Sequence, residues 1–222
     1  MSIGTVHGSC EIILPCLDEA EALSAALSAL PEGWPVLVVD NGSTDGTGDV
    51  ARACGARVVV EPQRGYGAAV HSGLLAARAE AVAVLDGDGS LDAGVLPAMA
   101  DDVFAGRVDL AVGRRVPDST TVWPWHARAG NAAIAAVLRH RGVPVHDIAP
   151  VRVARRQPLL DLQIADRAFG YPLEVLLRAA AAGWRIAEHP VAYRARAGGR
   201  SKVSGSVRGS LRAARDMAGL LR

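Results

Sequence analysis

Two aspartates separated by one residue, Asp86 and Asp88, stand in the stretch VAVLDGDGSLD at 82–92. The residues before them, Ala81–Leu85, are apolar and read as a strand. Successive strand residues point to opposite faces, so an i, i+2 pair at a strand's end points one way. Two carboxylates meeting there suit a hard divalent cation, Mg2+ or Mn2+, which takes oxygen ligands and shares substrate phosphates. The plainer alternative is an acidic surface turn of the kind that Asp-Gly pairs make. A calcium-binding EF-hand loop also opens D-x-D-x-S. Here, however, its sixth position is Leu91 where that loop needs Gly, and its twelfth is Pro97 where it needs Glu.

A third carboxylate, Asp40, closes VLVVD at 36–40 and leads into the turn sequence NGSTDGTG. At a sheet edge it could accept a nucleobase N–H or contact a ribose, whereas Asn41 and Asp45 are expected only to stabilise the turn. RGYGAA at 64–69 contains G-x-G, but Val70 occupies the third glycine position of the dinucleotide fingerprint, which argues against a nicotinamide cofactor. Gly65 still lets the backbone approach a nucleotide, with Arg64 near a phosphate. Later in the chain Arg114, Arg115 and Arg128 precede or open helical segments, and Arg194, Arg196, Arg200 and Lys202 crowd one stretch. Guanidinium groups suit phosphate recognition, and Lys202 is the sole lysine. Glu174, after Gly-Tyr-Pro at 170–172, is a candidate base if its helix faces the aspartates, and otherwise a surface residue on an amphipathic helix. The six histidines show neither HxxxH nor HExxH spacing.

The elements that must position these residues alternate. Glu11–Pro15, Val36–Val39, Val58–Val60 and Ala81–Leu85 read as strands. Asp18–Leu30, a segment from Thr47 through Cys54, and Ala68–Ala79 read as helices. Such alternation predicts a mostly parallel α/β sheet sandwiched by helices, with right-handed crossovers and ligands at the carboxyl edge. Beyond about residue 105 the pattern loosens. Leu110–Val112 and Ile186–Val191 read as strands, His126–Leu138 and Pro172–Ala182 as helices, Ala195–Gly205 as a loop and Ser206–Arg222 as an amphipathic helix. The 222 residues suit one domain, with an acidic half at 1–111, a basic half at 112–205 and the terminal helix at 206–222. Residues 1–111 carry 5 basic and 16 acidic side chains and residues 112–222 carry 19 and 7, so a net charge of +1 hides halves of −11 and +12. An acidic half can hold metal and a basic half phosphate or an anionic surface. Cys10, Cys16 and Cys54 have no CxxC spacing and read as buried, reduced thiols of a cytoplasmic protein. No signal-peptide pattern opens the sequence and no membrane-spanning run appears in it, so any membrane contact is expected to be peripheral, at the inner face. The basic segments lack interleaved aromatics and nucleic-acid motifs, which argues against nucleic acid.

Seven segments in order resemble family 2 glycosyltransferases of the GT-A fold, in the dolichyl-phosphate mannose synthase-like branch. They are ILPCLDEAEAL, VVDNGSTDGT, RGYGAAVHSGL, the D-x-D stretch, RAGN with DIAP, RAFGYPLEVLLRAAAAGWRI, and HPVAYRARAGGRSKVSG. The resemblance implies that Pro15, Asp18, Glu19 and Asp40 line the nucleotide pocket, and that Asp86 and Asp88 hold the metal against the donor diphosphate. It further implies that Arg115 and Arg128 bind an acceptor phosphate, that Glu174 sits beside the reaction centre, and that Arg200, Ser201 and Lys202 lie on a closing loop. Asp18 and Asn41 replace the family's usual Asn and Asp, and Ser90 stands where the synthases often have Gln, which opens the base preference and the metal coordination to change.

The implied reaction inverts the sugar of a UDP- or GDP-linked donor. A divalent cation and nearby basic side chains stabilise the charge developing on the leaving diphosphate. A phosphate acceptor is already anionic and needs cationic positioning more than a base, whereas a hydroxyl acceptor would need a carboxylate such as Glu174 or Asp147. The basic second half favours a phosphate acceptor, polyprenyl phosphate above a soluble metabolite. A nucleotidyltransferase would open with a glycine-rich loop after its first strand, where this chain has PCLDEAEA. A nucleotide-binding protein without activity is the remaining rival, and a twofold homodimer is the default assembly.

Overall fold

The computed structural model describes residues 9–119, 121–148 and 150–196. Its strands are β1 (Cys10–Cys16), β2 (Val36–Asp40), β3 (Arg57–Val60), β4 (Ala81–Val84), β5 (Leu110–Pro117), β6 (Val151–Arg155) and β7 (Ile186–Tyr193). Its helices are α1 (Ala20–Ser28), α2 (Thr47–Ala53), α3 (Tyr66–Ala76), α4 (Leu96–Phe104), α5 (Trp125–His140), α6 (Arg156–Asp161) and α7 (Tyr171–Ala181). The strands form one sheet in the order β3-β2-β1-β4-β6-β5-β7.

The first four strands are parallel, as alternation predicts. They read as unbroken apolar runs because helices cover both faces. One layer packs Leu23 of α1, Ala51 of α2 and Met99 of α4 against the sheet, and the other packs Ala69 and Leu74 of α3, Leu159 of α6 and Leu173 and Leu176 of α7. Three elements go unpredicted: α4, β6 and α6. The most consequential is β6, which runs antiparallel to both β4 and β5. Its sequence VRVAR alternates a buried arginine with valines, which hides the strand from a search for apolar runs. The sheet is therefore mixed, and the antiparallel insertion joins the two halves of the chain across β4 and β6.

The remaining corrections are boundary shifts with local causes. Helix α3 begins at Tyr66, two residues before the expected start, because Gly65 adopts φ 146° and lets the helix open at once. β5 and β7 run on to Pro117 and Tyr193 because they pair in parallel along their whole length. Cys10 and Cys16 are buried as expected, but Cys54 is exposed just past the end of α2. The expected loop beyond Arg196, with Arg200, Ser201 and Lys202, and the expected terminal helix lie outside the described residues. No described helix is long and apolar enough to cross a membrane.

Candidate active site

Because β1, β2, β4, β5 and β7 run the same way, their carboxyl ends share one edge of the sheet. That edge collects residues 17–19 after β1, Asp40 at the end of β2, and Asp86 and Asp88 after β4. It also receives Arg115 near the end of β5, Asp147 ahead of β6, and Arg194 and Arg196 after β7.

The nucleotide-side loops are knitted together by their own side chains. Asp40 Oδ1 accepts from the Ser43 N–H at 2.8 Å, and Asp18, at φ 48°, accepts from the Thr44 N–H at 2.8 Å. Ser43 Oγ accepts from the Asp18 N–H and Thr47 Oγ1 from the Glu19 N–H, each at 2.9 Å, while Asp45 Oδ2 takes the Ala20 N–H at 3.0 Å. These bonds satisfy amides at the start of α1 that the helix leaves unmet. Asn41 is buried and spans three backbone groups: its Nδ2 donates to Glu61 and Gln63 carbonyls and its Oδ1 accepts from the Gly65 N–H. Asp45 thus does the turn-building work expected of it, whereas Asn41 ties its turn to the segment leading into α3. Pro15 is half-buried, paired across the sheet with Val39, and Arg64 is exposed with its guanidinium against Gly42. A Cβ on Gly65 would stand 2.1 Å from the Arg167 carbonyl oxygen, so the turn entering α3 presses against the loop ahead of α7.

Between the paired aspartates, Gly87 is enforced by packing. A Cβ there would lie 2.5 Å from Cys16 Sγ. Asp88 is 2 % exposed, and its Oδ1 accepts from the Ser90 N–H. Its Oδ2 lies 2.8 Å from Nη2 of Arg196, whose Nη1 lies 3.6 Å from Glu19 Oε1. Burial, and then the adjacent Asp88 charge, push the Asp86 carboxyl upward, opposed by Arg196, Arg115 and Arg152. The donor set fits a hard cation: two carboxylates crowded together, each stabilised by positive charge. Among the described residues no group of three or more His, Cys, Asp or Glu stands ready as a complete cage. A cation held here would draw its other oxygens from a substrate and water, the usual habit of Mg2+.

On the other side Arg115 is clamped. Its Nε and Nη2 grip Asp147 at 2.8 and 2.7 Å, and its guanidinium lies 4.0 Å above the Trp123 ring. Asp147 is 1 % exposed, and Glu188 of β7 accepts from its N–H at 3.1 Å. Asn131 of α5 braces the group, accepting from the Ile148 N–H at 3.1 Å. Arg128 is exposed on α5, apart from this clamp. Glu174 is buried; its carboxylate accepts the N–H groups of Ala165 and Asp166 and the Arg178 Nε at 2.6 Å. Burial alone would raise its pKa, but those donors hold it below the ordinary value. Asp147 and Glu174, the two expected candidates for a base, are both fastened to donors. Glu174 instead ties down the loop whose Ala168 carbonyl caps Gly67 of α3. The sequence reading missed Arg152, buried on β6 opposite Val84, and did not single out Arg196 from its basic cluster.

The chain and its fold have counterparts among known proteins. Residues 11–162 match the model of glycosyl transferase family 2. The chain belongs to that family. An uncharacterised glycosyltransferase of Mycobacterium tuberculosis is 57 % identical over 206 residues, covering 92 % of this chain and 94 % of that one. A dolichyl-phosphate hexose transferase of Haloferax volcanii is 33 % identical over 192 residues, covering 84 % of this chain and 83 % of its own. Such relatives place this glycosyltransferase in the dolichyl-phosphate mannose synthase-like branch. Among solved structures, glucosyl-3-phosphoglycerate synthase of M. tuberculosis, crystallised with Mn2+, UDP and glucosyl-3-phosphoglycerate, superposes with a TM-score of 0.75 at 21 % identity, covering 96 % of this chain and 78 % of that one. The fold is the GT-A fold.

Proposed function

We propose that this glycosyltransferase moves a hexose, with inversion, from a nucleoside-diphosphate sugar to a phosphate-bearing acceptor, and that the acceptor is a polyprenyl phosphate. The observation that carries the reading is the Asp86–Asp88 pair at the carboxyl edge of the sheet, with Arg196 2.8 Å from Asp88 and the charges of Arg115 and Arg152 acting on the Asp86 carboxyl. Asp86 and Asp88 would hold Mg2+ or Mn2+, which when bound neutralises charge on the leaving diphosphate. Asp18, Glu19 and Asp40 line the nucleotide side, with Pro15, Arg64 and Gly65 shaping its walls. Arg196, which pairs with Asp88, would exchange that carboxylate for the diphosphate on donor binding. Arg115, held rigid by Asp147 and Trp123, fixes the acceptor's anionic group, with Arg128 and the segment holding Arg200, Ser201 and Lys202 as further contacts.

The fastened state of Asp147 and Glu174 supports an acceptor that arrives as an anion, since a phosphate oxygen attacks without surrendering a proton. The lipid-phosphate reading is supported by the dolichyl-phosphate hexose transferase among the relatives. A soluble phosphorylated acid is the second reading, because the structural neighbour was crystallised with glucosyl-3-phosphoglycerate. Both acceptors present an anion to Arg115. The experiment is a transfer assay with labelled UDP- and GDP-hexoses and Mn2+, offering undecaprenyl phosphate in detergent or 3-phosphoglycerate. Label in the organic phase is the expected result. Label only in a water-soluble product would move the acceptor to the second reading. Transfer to neither, by folded protein that still binds donor, would refute the phosphate-acceptor reading.

A further inference from the structure

We propose that Arg152, acting through the Tyr66 hydroxyl, is a positioning residue for Asp86. It steadies one oxygen of that carboxylate from beneath and leaves the other to the divalent cation, an inference that rests on the reading of Asp86 as a metal ligand. Arg152 is 2 % exposed, and its guanidinium is tied through Nη2, which donates to the Ile148 carbonyl at 2.8 Å. Its Nε and Nη1 are buried with no hydrogen-bond partner among the described residues. The hydroxyls of Tyr66 and Tyr171 are buried and unpartnered in the same way, and Tyr171 as a whole is 1 % exposed. Four polar atoms without bonds in one interior are costly, because each has left water and gained nothing in return.

Position gathers these groups beneath Asp86. Arg152 is the register partner of Val84 on β4. Val84 packs on the α3 and α7 side of the sheet with Tyr66 and Tyr171, and Leu85 packs on the other side. A Cβ on Gly87 would meet Cys16 and Leu23 on that other side, so the alternation returns Asp86 to the side of Arg152 and the tyrosines. Tyr66 opens α3 and Tyr171 opens α7. A Cβ on Gly67 would stand 2.8 Å from Tyr171 Cβ, so these two helix starts press together. Burial, and then the Asp86 charge, push the Tyr66 hydroxyl pKa upward, opposed by Arg152, which sets that hydroxyl in the field of both groups.

Charge chooses the partner. Free guanidinium N–H groups call for an acceptor, and the carboxylate on this side of the sheet is Asp86. A phosphate drawn into the same interior would meet the Asp86 and Asp88 charges first. The Tyr66 hydroxyl can serve both neighbours, because its oxygen accepts from an Arg152 N–H while its O–H donates to the carboxylate. Groups that hold a metal ligand in this manner commonly contribute about 10- to 100-fold in metal affinity.

The test is titration of Mn2+ with UDP- or GDP-hexose into wild type, Tyr66→Phe, Arg152→Lys and Arg152→Met, read by calorimetry and by the electron paramagnetic resonance of free Mn2+. Each protein's denaturation midpoint is measured alongside. Tyr66→Phe should weaken Mn2+ binding by about ten-fold or more. Its midpoint should hold or rise, because the change deletes a buried, unpartnered hydroxyl. Arg152→Met should weaken binding further, and Arg152→Lys, which keeps the charge without the fork, should fall between wild type and Arg152→Met. If Arg152→Met does not fold, Tyr66→Phe decides alone. A Tyr66→Phe protein with wild-type Mn2+ affinity would overturn the inference and leave Asp86 standing as a metal ligand. So would a loss of affinity matched by a loss of stability, which would make the hydroxyl part of the packing. Wild type that takes up no Mn2+ with either nucleotide sugar would sink the metal reading and this inference together.

Discussion

The two halves of the sheet differ in charge and in what their carboxylates hold. Strands β3, β2, β1 and β4 come from the acidic half of the chain, and β6, β5 and β7 from the basic half. The acidic half uses most of its site carboxylates on its own turns: Asp18, Asp40 and Asp45 accept backbone N–H groups within one knot of loops. The basic half uses its carboxylates to hold arginines, as Asp147 holds Arg115 and Glu174 holds Arg178. The exceptions lie at the seam. Asp86 and Asp88 follow β4, and the cations beside them arrive from β5, β6 and the end of β7. The difference teaches that the fold keeps its charges apart in sequence and sets the basic side chains of one half beside the Asp86 and Asp88 carboxylates of the other. An anion placed there with a divalent cation would meet both halves at once.

The largest expected break in this pattern is Arg115→Met. It would leave the buried Asp147 carboxylate with the residue-115 N–H but without the guanidinium that balances its charge, a loss of about 3–5 kcal/mol for a broken buried pair. Chemical denaturation should register it as a lowered midpoint, and a full-stability variant would mean that Asp147 finds another donor. Gly87→Ala comes next. The 2.5 Å approach to Cys16 Sγ forces the D-G-D turn off its seat, at about 1–3 kcal/mol for overpacking. Its signature is a larger loss of Mn2+ and nucleotide affinity than of stability, since the displaced turn carries both aspartates.

Glu174→Gln is smaller and tests the clamp on the basic side. Glutamine keeps the shape and one acceptor but loses the charge that accepts three donors, for about 0.5–1.5 kcal/mol at neutral pH. The folded-state pKa of Glu174 is depressed, so its stabilisation is present above the unfolded value near 4.3 and is lost as pH falls below it. The stability gap between wild type and variant should therefore be full at pH 7 and close in acid. A gap that widened on acidification would contradict the clamp.

Much of the fold and of the candidate site is legible in the residues alone. The four parallel strands follow from apolar runs punctuated by turn chemistry, and Asp86, Asp88 and Asp40 follow from their place at strand ends. The second half resists because its strands are not apolar runs. β6 carries Arg152 and Arg155 on a strand flanked by partners on both sides, so its hydrophobic signal is broken while its burial is complete at Val151 and Val153. Glu174 and Asp147 are legible as carboxylates near the site, but the donors that already hold them are not. Those donors, the Ala165 and Asp166 amides and Arg115, are set by loop paths and by a strand register 32 residues away. Charge asymmetry points to two halves, but only the antiparallel β6 shows where they meet.

The central claim is that Asp86 and Asp88 hold a divalent cation against a donor diphosphate. Isothermal calorimetry with UDP- and GDP-hexoses, with and without Mn2+, on wild type and Asp88→Ala tests it directly. The account predicts binding of one nucleotide class that requires Mn2+ and falls by about 100-fold or more in the variant, the scale of several kcal/mol that a metal clamp supplies. Equal affinity with and without metal, or an Asp88→Ala protein that binds as wild type does, would contradict it.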